Sequence, residues 1–96
     1  MIPEEFKCAG FTIKVVNEDY LPNNEYGYYD DARSLIKLAR YIKTDDEDVK
    51  LSEEQRFNTF AHELIHVFQF YFNNTFDEAQ AQTFANFYCE FIRTSK

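Results

Sequence analysis

The first half of the chain carries short runs in which apolar and polar residues alternate. In the run FTIKVV at 11–16, Phe11, Ile13 and Val15 fall on one side, and the run ends at the polar segment 17–19. Successive side chains of a strand point to opposite faces of a sheet, so a period of two is typical of a strand with one buried face. This segment therefore predicts one half-buried strand.

Turn-forming residues divide the next part of the chain into two further segments. The clusters LPNN at 21–24 and DDAR at 30–33 enclose the tyrosine-rich segment 26–29. A hairpin is the simplest join for segments separated in this way. The segment 34–41 suits either a third strand or a short helix, because it mixes alternating apolar residues with helix-favouring ones. We interpret it as a strand.

The second half repeats its apolar residues at three- and four-residue spacing, which is the period of an amphipathic helix. Ser52 with Gln55 three residues later forms a capping box, and Glu53 and Glu54 suit the positive end of the helix dipole. A helix is therefore predicted to start there. Its predicted core stripe consists of Phe57, Phe60, Ala61, Leu64, Phe68 and Tyr71.

A second helix is predicted after the pair Asn73-Asn74. Asparagine tolerates the left-handed conformation at a helix end, so this pair is a suitable stop for the first helix. Thr75 can then cap the second one. The apolar residues of that second helix are Phe76, Ala79, Phe84, Phe87, Tyr88 and Phe91.

Together these elements predict a single α+β domain over residues 1–96. A short antiparallel sheet of about three strands occupies 1–43, and a helical hairpin occupies 52–96. Between them lies the acidic run TDDED at 44–48. We interpret this run as a solvated loop, because a calcium-binding loop needs spaced ligands and a glycine that the run lacks.

Composition supports a globular domain and narrows its partners. The 96 residues are 45% hydrophobic and 19% aromatic, which is ample for one core. The net charge of -7 repels phosphate groups, so no direct binding to nucleic acid or to an anionic membrane is expected. The chain shows no signal-peptide pattern and no run long enough to span a bilayer, so a soluble cytoplasmic protein is expected. Cys8 and Cys89 are expected to be free thiols.

The sequence His62-Glu63-Leu64-Ile65-His66 is an HExxH motif within the first predicted helix. A spacing of four residues stacks His62 and His66 on one face of a helix, about 6 Å apart at their Cβ atoms, so both imidazoles can bind one metal ion. These are the two histidines of the chain. The alternative is that both are ordinary, partly buried residues with hydrogen-bond partners.

A catalytic zinc site needs a third protein ligand and an open position for water. Because no third histidine exists, Glu78 in the first turn of the second helix is the leading candidate, and Gln82 on the same face could orient a ligand from behind. The competing interpretation is structural, because Glu78 stands three residues after Thr75 and could close a capping box. Asp77 is the next candidate ligand, and Cys89 is a more remote one.

The expected hairpin geometry argues against Glu78. A tight antiparallel hairpin centred near Asn73 places Gln82 opposite His66 and leaves Glu78 about 5 Å away along the helix axis. A steep crossing of the helices, or an early end of the first helix, would remove this mismatch.

A zinc ion in such a site would lower the pKa of its bound water from about 15.7 towards about 7. Glu63 projects about 100° round the helix from His62, so it can remain off the metal and act as general base toward that water. Passing the proton to a leaving amine makes peptide hydrolysis the expected reaction. Tyr71 and Tyr88 are possible donors to the oxyanion only because phenols can donate hydrogen bonds.

From about Gln55 to Phe91, with FNTFAHELIHVFQ followed by DEAQAQTFANFY, the chain resembles small phage and prophage HExxH proteins related to the ImmA/IrrE and SprT-like metallopeptidases. HELIH is similar to the metal-binding helix of these proteins. The stretch from Glu78 to Ala85 is similar to the helix that supplies their third ligand, which favours Glu78 as a ligand over the cap. Ile65 departs from the glycine that many members have there.

The resemblance implies a minimal zincin core with zinc as cofactor, and a gluzincin-like metallopeptidase that hydrolyses an unknown protein substrate. In this hypothesis His62, His66 and Glu78 bind zinc, and Glu63 activates the zinc-bound water. The alternative is a non-catalytic, zinc-stabilised interaction protein of phage or mobile-element origin. A third hypothesis, an inhibitor that binds a basic protein, depends only on the net charge.

Overall fold

The computed structural model describes residues 2–96. In it, the strands precede the helices along the chain. The strands are β1 (Glu5–Cys8), β2 (Phe11–Glu18), β3 (Gly27–Asp30), β4 (Leu35–Ala39), β5 (Tyr41–Lys43) and β6 (Asp48–Lys50), and the helices are α1 (Glu53–Phe72) and α2 (Glu78–Thr94). The α+β class is confirmed, with an N-terminal sheet region and C-terminal helices.

The main sheet is larger than predicted and is mixed rather than antiparallel. Its four strands lie in the order β1-β2-β4-β3, in which β2 and β4 run parallel and the other pairs are antiparallel. The segments 26–29 and 34–41 do contain a hairpin, formed by β3 and β4, but β4 lies between β3 and β2, and Tyr41 begins β5 instead of continuing β4. Ile36 and Leu38 of β4 have no exposed surface, and such an apolar strand is best buried between neighbours.

A second hairpin extends the strand region beyond residue 43. Strands β5 and β6 pair antiparallel, with Ile42 opposite Val49. The acidic run between them is a loop at Thr44–Glu47, closed by a hydrogen bond of 3.0 Å from the Thr44 amide to the Glu47 carbonyl. The solvated-loop prediction is therefore confirmed for most of the run, while its last residue, Asp48, begins β6.

Helix α1 begins as predicted and packs its apolar face on the main sheet. Ser52 and Gln55 form the reciprocal capping box, with hydrogen bonds of 2.8 and 3.1 Å. Phe60 and Val67 join the core made by the central strands, and Phe60 meets Phe6 of β1 edge to face. The prediction that Phe68 belongs to the core is wrong, because this residue is 48% exposed.

Helix α2 begins later than predicted. Its N-cap is Asp77, whose carboxylate accepts a hydrogen bond from the Gln80 amide at 2.9 Å, so the Thr75 cap is wrong. Phe76 consequently lies in the connection between the helices. Asn74 adopts the left-handed conformation at φ 54°, as expected for the stop of α1.

The buried face of α2 also differs from the predicted aromatic stripe. Its buried residues are the small side chains of Ala81, Ala85 and Cys89, which pack near Ala61 of α1. Small residues on this face let the two helices approach closely. Ala79, Phe87 and Phe91 of the predicted stripe are exposed instead.

Cys8 and Cys89 are free thiols, as expected from the sequence. Neither helix found in residues 2–96 combines the length and the apolar character needed to cross a lipid bilayer.

Gly27 allows β3 to lie directly against the helix that carries the HExxH motif. A Cβ atom at this position would lie 2.7 Å from Cγ2 of Thr59 and 2.9 Å from the Lys37 carbonyl oxygen. We therefore expect Gly27→Ala to lower the free energy of unfolding by about 1–3 kcal/mol through overpacking. Urea denaturation measures this change.

The side chain of Thr59 offers a matched control for Gly27→Ala. Thr59→Ser removes the clashing methyl group and keeps the hydroxyl that donates to the Gln55 carbonyl at 3.0 Å. The double variant should recover part of the lost stability, since the contact with the Lys37 carbonyl remains. Equal stability of Gly27→Ala and wild type would show that β3 and α1 are not in tight contact.

Candidate metal centre

Helix α1 presents His62 and His66 one turn apart, with ring centroids separated by 4.9 Å. The first residue of α2, Glu78, directs its carboxylate between them. One oxygen lies 2.8 Å from Nε2 of His62, and the other lies 3.0 Å from Nε2 of His66. The three donor atoms all lie within 4.8 Å of one another. The structure thus brings together the three residues that the sequence suggested as ligands.

The register of the helical hairpin differs from the expected one and removes the geometric mismatch. Gln82 lies opposite His62, whose Nδ1 is 3.0 Å from the Gln82 side-chain oxygen, and Glu78 lies opposite His66. Because Asp77 caps α2, the carboxylate of Glu78 does not serve as a cap. The capping-box interpretation of Glu78 with Thr75 is therefore wrong.

The other candidate ligands lie outside this cluster. The carboxylate of Asp77 is engaged as the N-cap of α2. Cys89 lies buried between the helices, where its sulfur accepts a hydrogen bond of 3.7 Å from the Asn58 amide. Within residues 2–96, the cluster of metal-ligating side chains contains neither residue.

Two glutamines hold the histidine rings from the side away from Glu78. Nδ1 of His62 donates to the side-chain oxygen of Gln82 at 3.0 Å, and Nδ1 of His66 donates to that of Gln69 at 2.8 Å. Such partners fix the orientation and the tautomer of an imidazole. The sequence indicated Gln82 as a residue that orients a ligand, because it lies one turn after Glu78. It did not indicate Gln69 in this role, although Gln69 follows His66 by three residues on the same helix.

Gln69 is buried and uses its whole amide to connect α1 with the start of α2. Its oxygen accepts from the Asp77 amide at 3.2 Å, and its nitrogen donates to the Asp77 carbonyl at 3.2 Å and to the Gln80 side chain at 2.6 Å. The backbone of Asp77 therefore fixes which end of the amide is the oxygen. Because that oxygen faces His66, the ring must carry its proton on Nδ1.

Each imidazole consequently faces oxygen acceptors at both nitrogens. A neutral imidazole has a single N–H, and in both rings this N–H donates to a glutamine oxygen. Each Nε2 therefore directs a lone pair at the Glu78 carboxylate. Either a proton on each ring or a shared cation resolves this conflict. His66 is 6% exposed, and burying a charged imidazole is unfavourable. A cation held between the two Nε2 atoms and Glu78 satisfies all these groups at once.

Charge and burial act in opposite directions on the carboxyl of Glu78. Burial raises its pKa, but the neighbouring imidazoles of His62 and His66 together outweigh this effect and lower the pKa below its ordinary value. The carboxylate is therefore ionised at neutral pH, which is the form that binds a metal.

Glu63 lies beside the cluster in a different environment. It is 7% exposed, and no side-chain hydrogen bond to it is found among residues 2–96. Burial raises the pKa of its carboxyl to about 7, although the nearby histidines His66 and His62 oppose this change. A carboxyl with such a pKa can exchange protons near neutral pH.

Both Glu63 and the histidines line a cavity of about 660 Å³ between α1, the start of α2 and the edge strand β3. Its other lining residues are Glu25, Tyr26, Gly27, Tyr28, Tyr29, Gln55, Asn58, Thr59, Phe76, Glu78 and Gln82. Phe76, which the sequence suggested as a core residue of α2, packs edge-on against the His66 ring at 5.3 Å. The cluster therefore opens into a space large enough for a small ligand or a peptide side chain.

The phenols suggested as oxyanion donors lie elsewhere. Tyr71 stacks on Phe11 at 5.3 Å, and Tyr88 stacks on Phe84 at 5.6 Å. Neither tyrosine lines the cavity. Of the tyrosines that do line it, Tyr28 and Tyr29 belong to β3 and Tyr26 precedes it, in the segment that the sequence had indicated only as part of a hairpin.

No known protein family, curated protein or solved structure matches the chain. A proposal about function must therefore be argued from the donor set and the cavity beside it.

The donor set fits zinc in type and number. Two imidazole nitrogens and one carboxylate are the kind of set that catalytic zinc sites use, and they leave a fourth tetrahedral position for water. Bond lengths of about 2.0–2.2 Å place the donors of a tetrahedral zinc about 3.4 Å apart. The Nε2 to carboxylate distances of 2.8 and 3.0 Å in this structure are somewhat shorter than that separation, and all three donor atoms lie within 4.8 Å of one another.

Proposed function

We propose that this chain is a zinc-dependent metallopeptidase of the gluzincin type, built on a minimal zincin core, which hydrolyses a peptide bond of a protein substrate. The observation that carries the proposal is the convergence of His62, His66 and Glu78, with both Nε2 lone pairs directed at one carboxylate. The resemblance of the HELIH segment to small phage HExxH metallopeptidases supports the same function.

The zinc ligands in this proposal come from both helices. His62 and His66 bind through Nε2 while Gln82 and Gln69 hold their Nδ1 protons, and Glu78 supplies the third donor. A zinc ion bound there supplies Lewis acidity for a substrate carbonyl and makes a nearby water more acidic.

Glu63 is the general base of the proposed reaction. Its carboxyl lines the cavity beside the ligands and has no side-chain hydrogen-bond partner within residues 2–96 that would hold it away from water. It takes a proton from the attacking water as the water oxygen bonds to the carbonyl carbon. It then delivers that proton to the amine nitrogen as the carbon–nitrogen bond breaks, so the reaction consumes one water and leaves Glu63 unchanged.

The proposal predicts one zinc ion per chain and a proteolytic activity that depends on it. Metal analysis of the purified protein gives the stoichiometry, and a panel of denatured proteins serves as substrates. EDTA should stop cleavage, and added zinc should restore it. A zinc-loaded protein that cleaves no member of the panel would contradict the proposal.

Treatment with EDTA also distinguishes a catalytic role of the metal from a purely structural one. A zinc ion at this position would join α1 to the first turn of α2, so its removal could also loosen the hairpin. Circular dichroism before and after EDTA measures this effect. Unfolding by EDTA without proteolysis at any zinc concentration would favour the zinc-stabilised interaction protein.

A further inference from the structure

The cavity beside the histidines is acidic, and its lining contains neither lysine nor arginine. Three carboxylates line it, from Glu25, Glu63 and Glu78, while none of its lining residues is a lysine or an arginine. The two positive charges of the proposed zinc ion would offset those of Glu78 and Glu63, and they would leave the charge of Glu25 without a partner in the lining. A positively charged group would supply that partner, whereas a carboxylate would be repelled.

Aromatic rings line the same cavity as Glu25. Tyr26, Tyr28 and Tyr29 line the strand side of the cavity, and Phe76 lines the helix side. The face of an aromatic ring attracts ammonium and guanidinium groups. Tyr28 already receives one such group, because Nζ of Lys37 lies 5.8 Å from its ring centroid.

Lys37, which contacts Tyr28 of the cavity wall, leaves Glu25 available. Lys37 pairs with Glu18, at 3.1 Å between Nζ and the carboxylate. Glu25 makes no ion pair within residues 2–96, and its side chain is exposed next to Tyr26, which is itself 49% exposed. A long basic side chain could therefore place its charged end near Glu25 and its methylene groups against the tyrosine ring.

We propose that this cavity binds a lysine or arginine side chain of the substrate, so that the chain acts on basic peptides and recognises them through Glu25 and Tyr26. This inference rests on the proposed function, because it places the basic side chain in the cavity that also contains Glu63 and the histidines. The net charge of -7 adds a long-range attraction for basic substrates.

Binding of short peptides tests this preference without catalysis. The zinc-loaded Glu63→Gln protein is titrated with end-capped alanine-based peptides that differ only in a central arginine, glutamine or glutamate. We expect the arginine peptide to bind about fivefold more tightly than the glutamine peptide, and the glutamate peptide to bind most weakly. Equal affinity for all three peptides would overturn the proposal.

Substitutions in the same background separate the local site from the overall charge. Glu25→Gln should reduce the arginine preference to less than about twofold, whereas Glu90→Gln, an equal charge change at an exposed position of α2 outside the cavity, should leave it intact. Tyr26→Leu should weaken the preference, and Tyr26→Phe should keep it. If Glu90→Gln lowers the preference as much as Glu25→Gln does, only the net charge is involved and the assigned site is wrong.

Cleavage of the same peptides by the wild-type protein separates this inference from the proposed function. An arginine preference in binding that depends on Glu25, without cleavage of any peptide or protein, would refute the peptidase and retain the basic-peptide site. Cleavage with the same kcat/KM for all three peptides would refute the site and retain the peptidase.

Discussion

Glu63→Gln should lower kcat/KM for peptide cleavage by about 10³-fold while leaving zinc bound. Glutamine has nearly the shape of glutamate but cannot accept a proton from water. The three proposed ligands are unaffected, because Glu63 makes no hydrogen bond to His62, His66 or Glu78. Zinc content and cleavage of the same substrate are measured side by side for the variant and the wild type. Zinc-bound Glu63→Gln that cleaves at the wild-type rate would remove Glu63 from the mechanism.

Measuring the stability of metal-free Glu63→Gln tests whether a loss of cleavage is caused by a loss of folding. Burial raises the pKa of Glu63 from 4.5 to about 7, so its contribution to stability is complete below about pH 4.5 and is lost as the pH rises through about 7. Glutamine has no such dependence. In EDTA, Glu63→Gln should therefore be more stable than wild type by about 3 kcal/mol near pH 8, with this excess absent near pH 4. Urea denaturation at both pH values measures the difference, with Glu90→Gln as the control.

The features that the sequence predicted correctly are those determined by local contacts. The capping box of Ser52 and Gln55 needs only residues within one turn, and it forms as predicted. The spacing of His62 and His66 places both rings on one face of α1 whatever the rest of the fold does. The strand β2 likewise follows from its own alternation.

The start of α2 was mispredicted because two local caps compete. Thr75 and Asp77 are both good N-cap residues, and the local sequence does not distinguish them. In the structure, Gln69 of α1 binds both backbone groups of Asp77, which holds that residue at the helix start. Glu78 thereby becomes the first residue of α2 and comes opposite His66. The third donor thus depends on a contact between residues eight positions apart, which periodicity does not show.

Sheet topology was not predictable for a similar reason. Strand β1 is four residues long and reaches its partner through a turn at Ala9 and Gly10, both with positive φ. The parallel pairing of β2 with β4 requires the chain to pass through β3 first. Phe87 and Phe91 of α2, which were predicted to be buried, are exposed for the same reason. Helical periodicity does not show which face of α2 packs against α1.

Gln69→Leu should lower the free energy of unfolding by about 3 kcal/mol and weaken zinc binding by about 10- to 100-fold. Leucine fills similar space but removes the acceptor for His66 and all three contacts with Asp77 and Gln80. The buried Nδ1–H of His66 then has no acceptor, and the start of α2 is released. Urea denaturation and competition with a zinc chelator measure the two effects.

Gln80→Ala is the matched control, because it removes one of the four hydrogen bonds of Gln69 and leaves its contacts with His66 and Asp77 in place. It should change stability by about 1 kcal/mol or less and should leave zinc affinity unchanged. Nitrogen-15 NMR of the metal-free protein near neutral pH reports whether the proton of His66 is on Nδ1. Gln69 holds it there because the Asp77 backbone fixes the orientation of its amide, so Gln69→Leu should allow the proton to move to Nε2, toward Glu78. If the tautomer and the zinc affinity of Gln69→Leu match those of Gln80→Ala, Gln69 acts only on the helix connection and does not position His66.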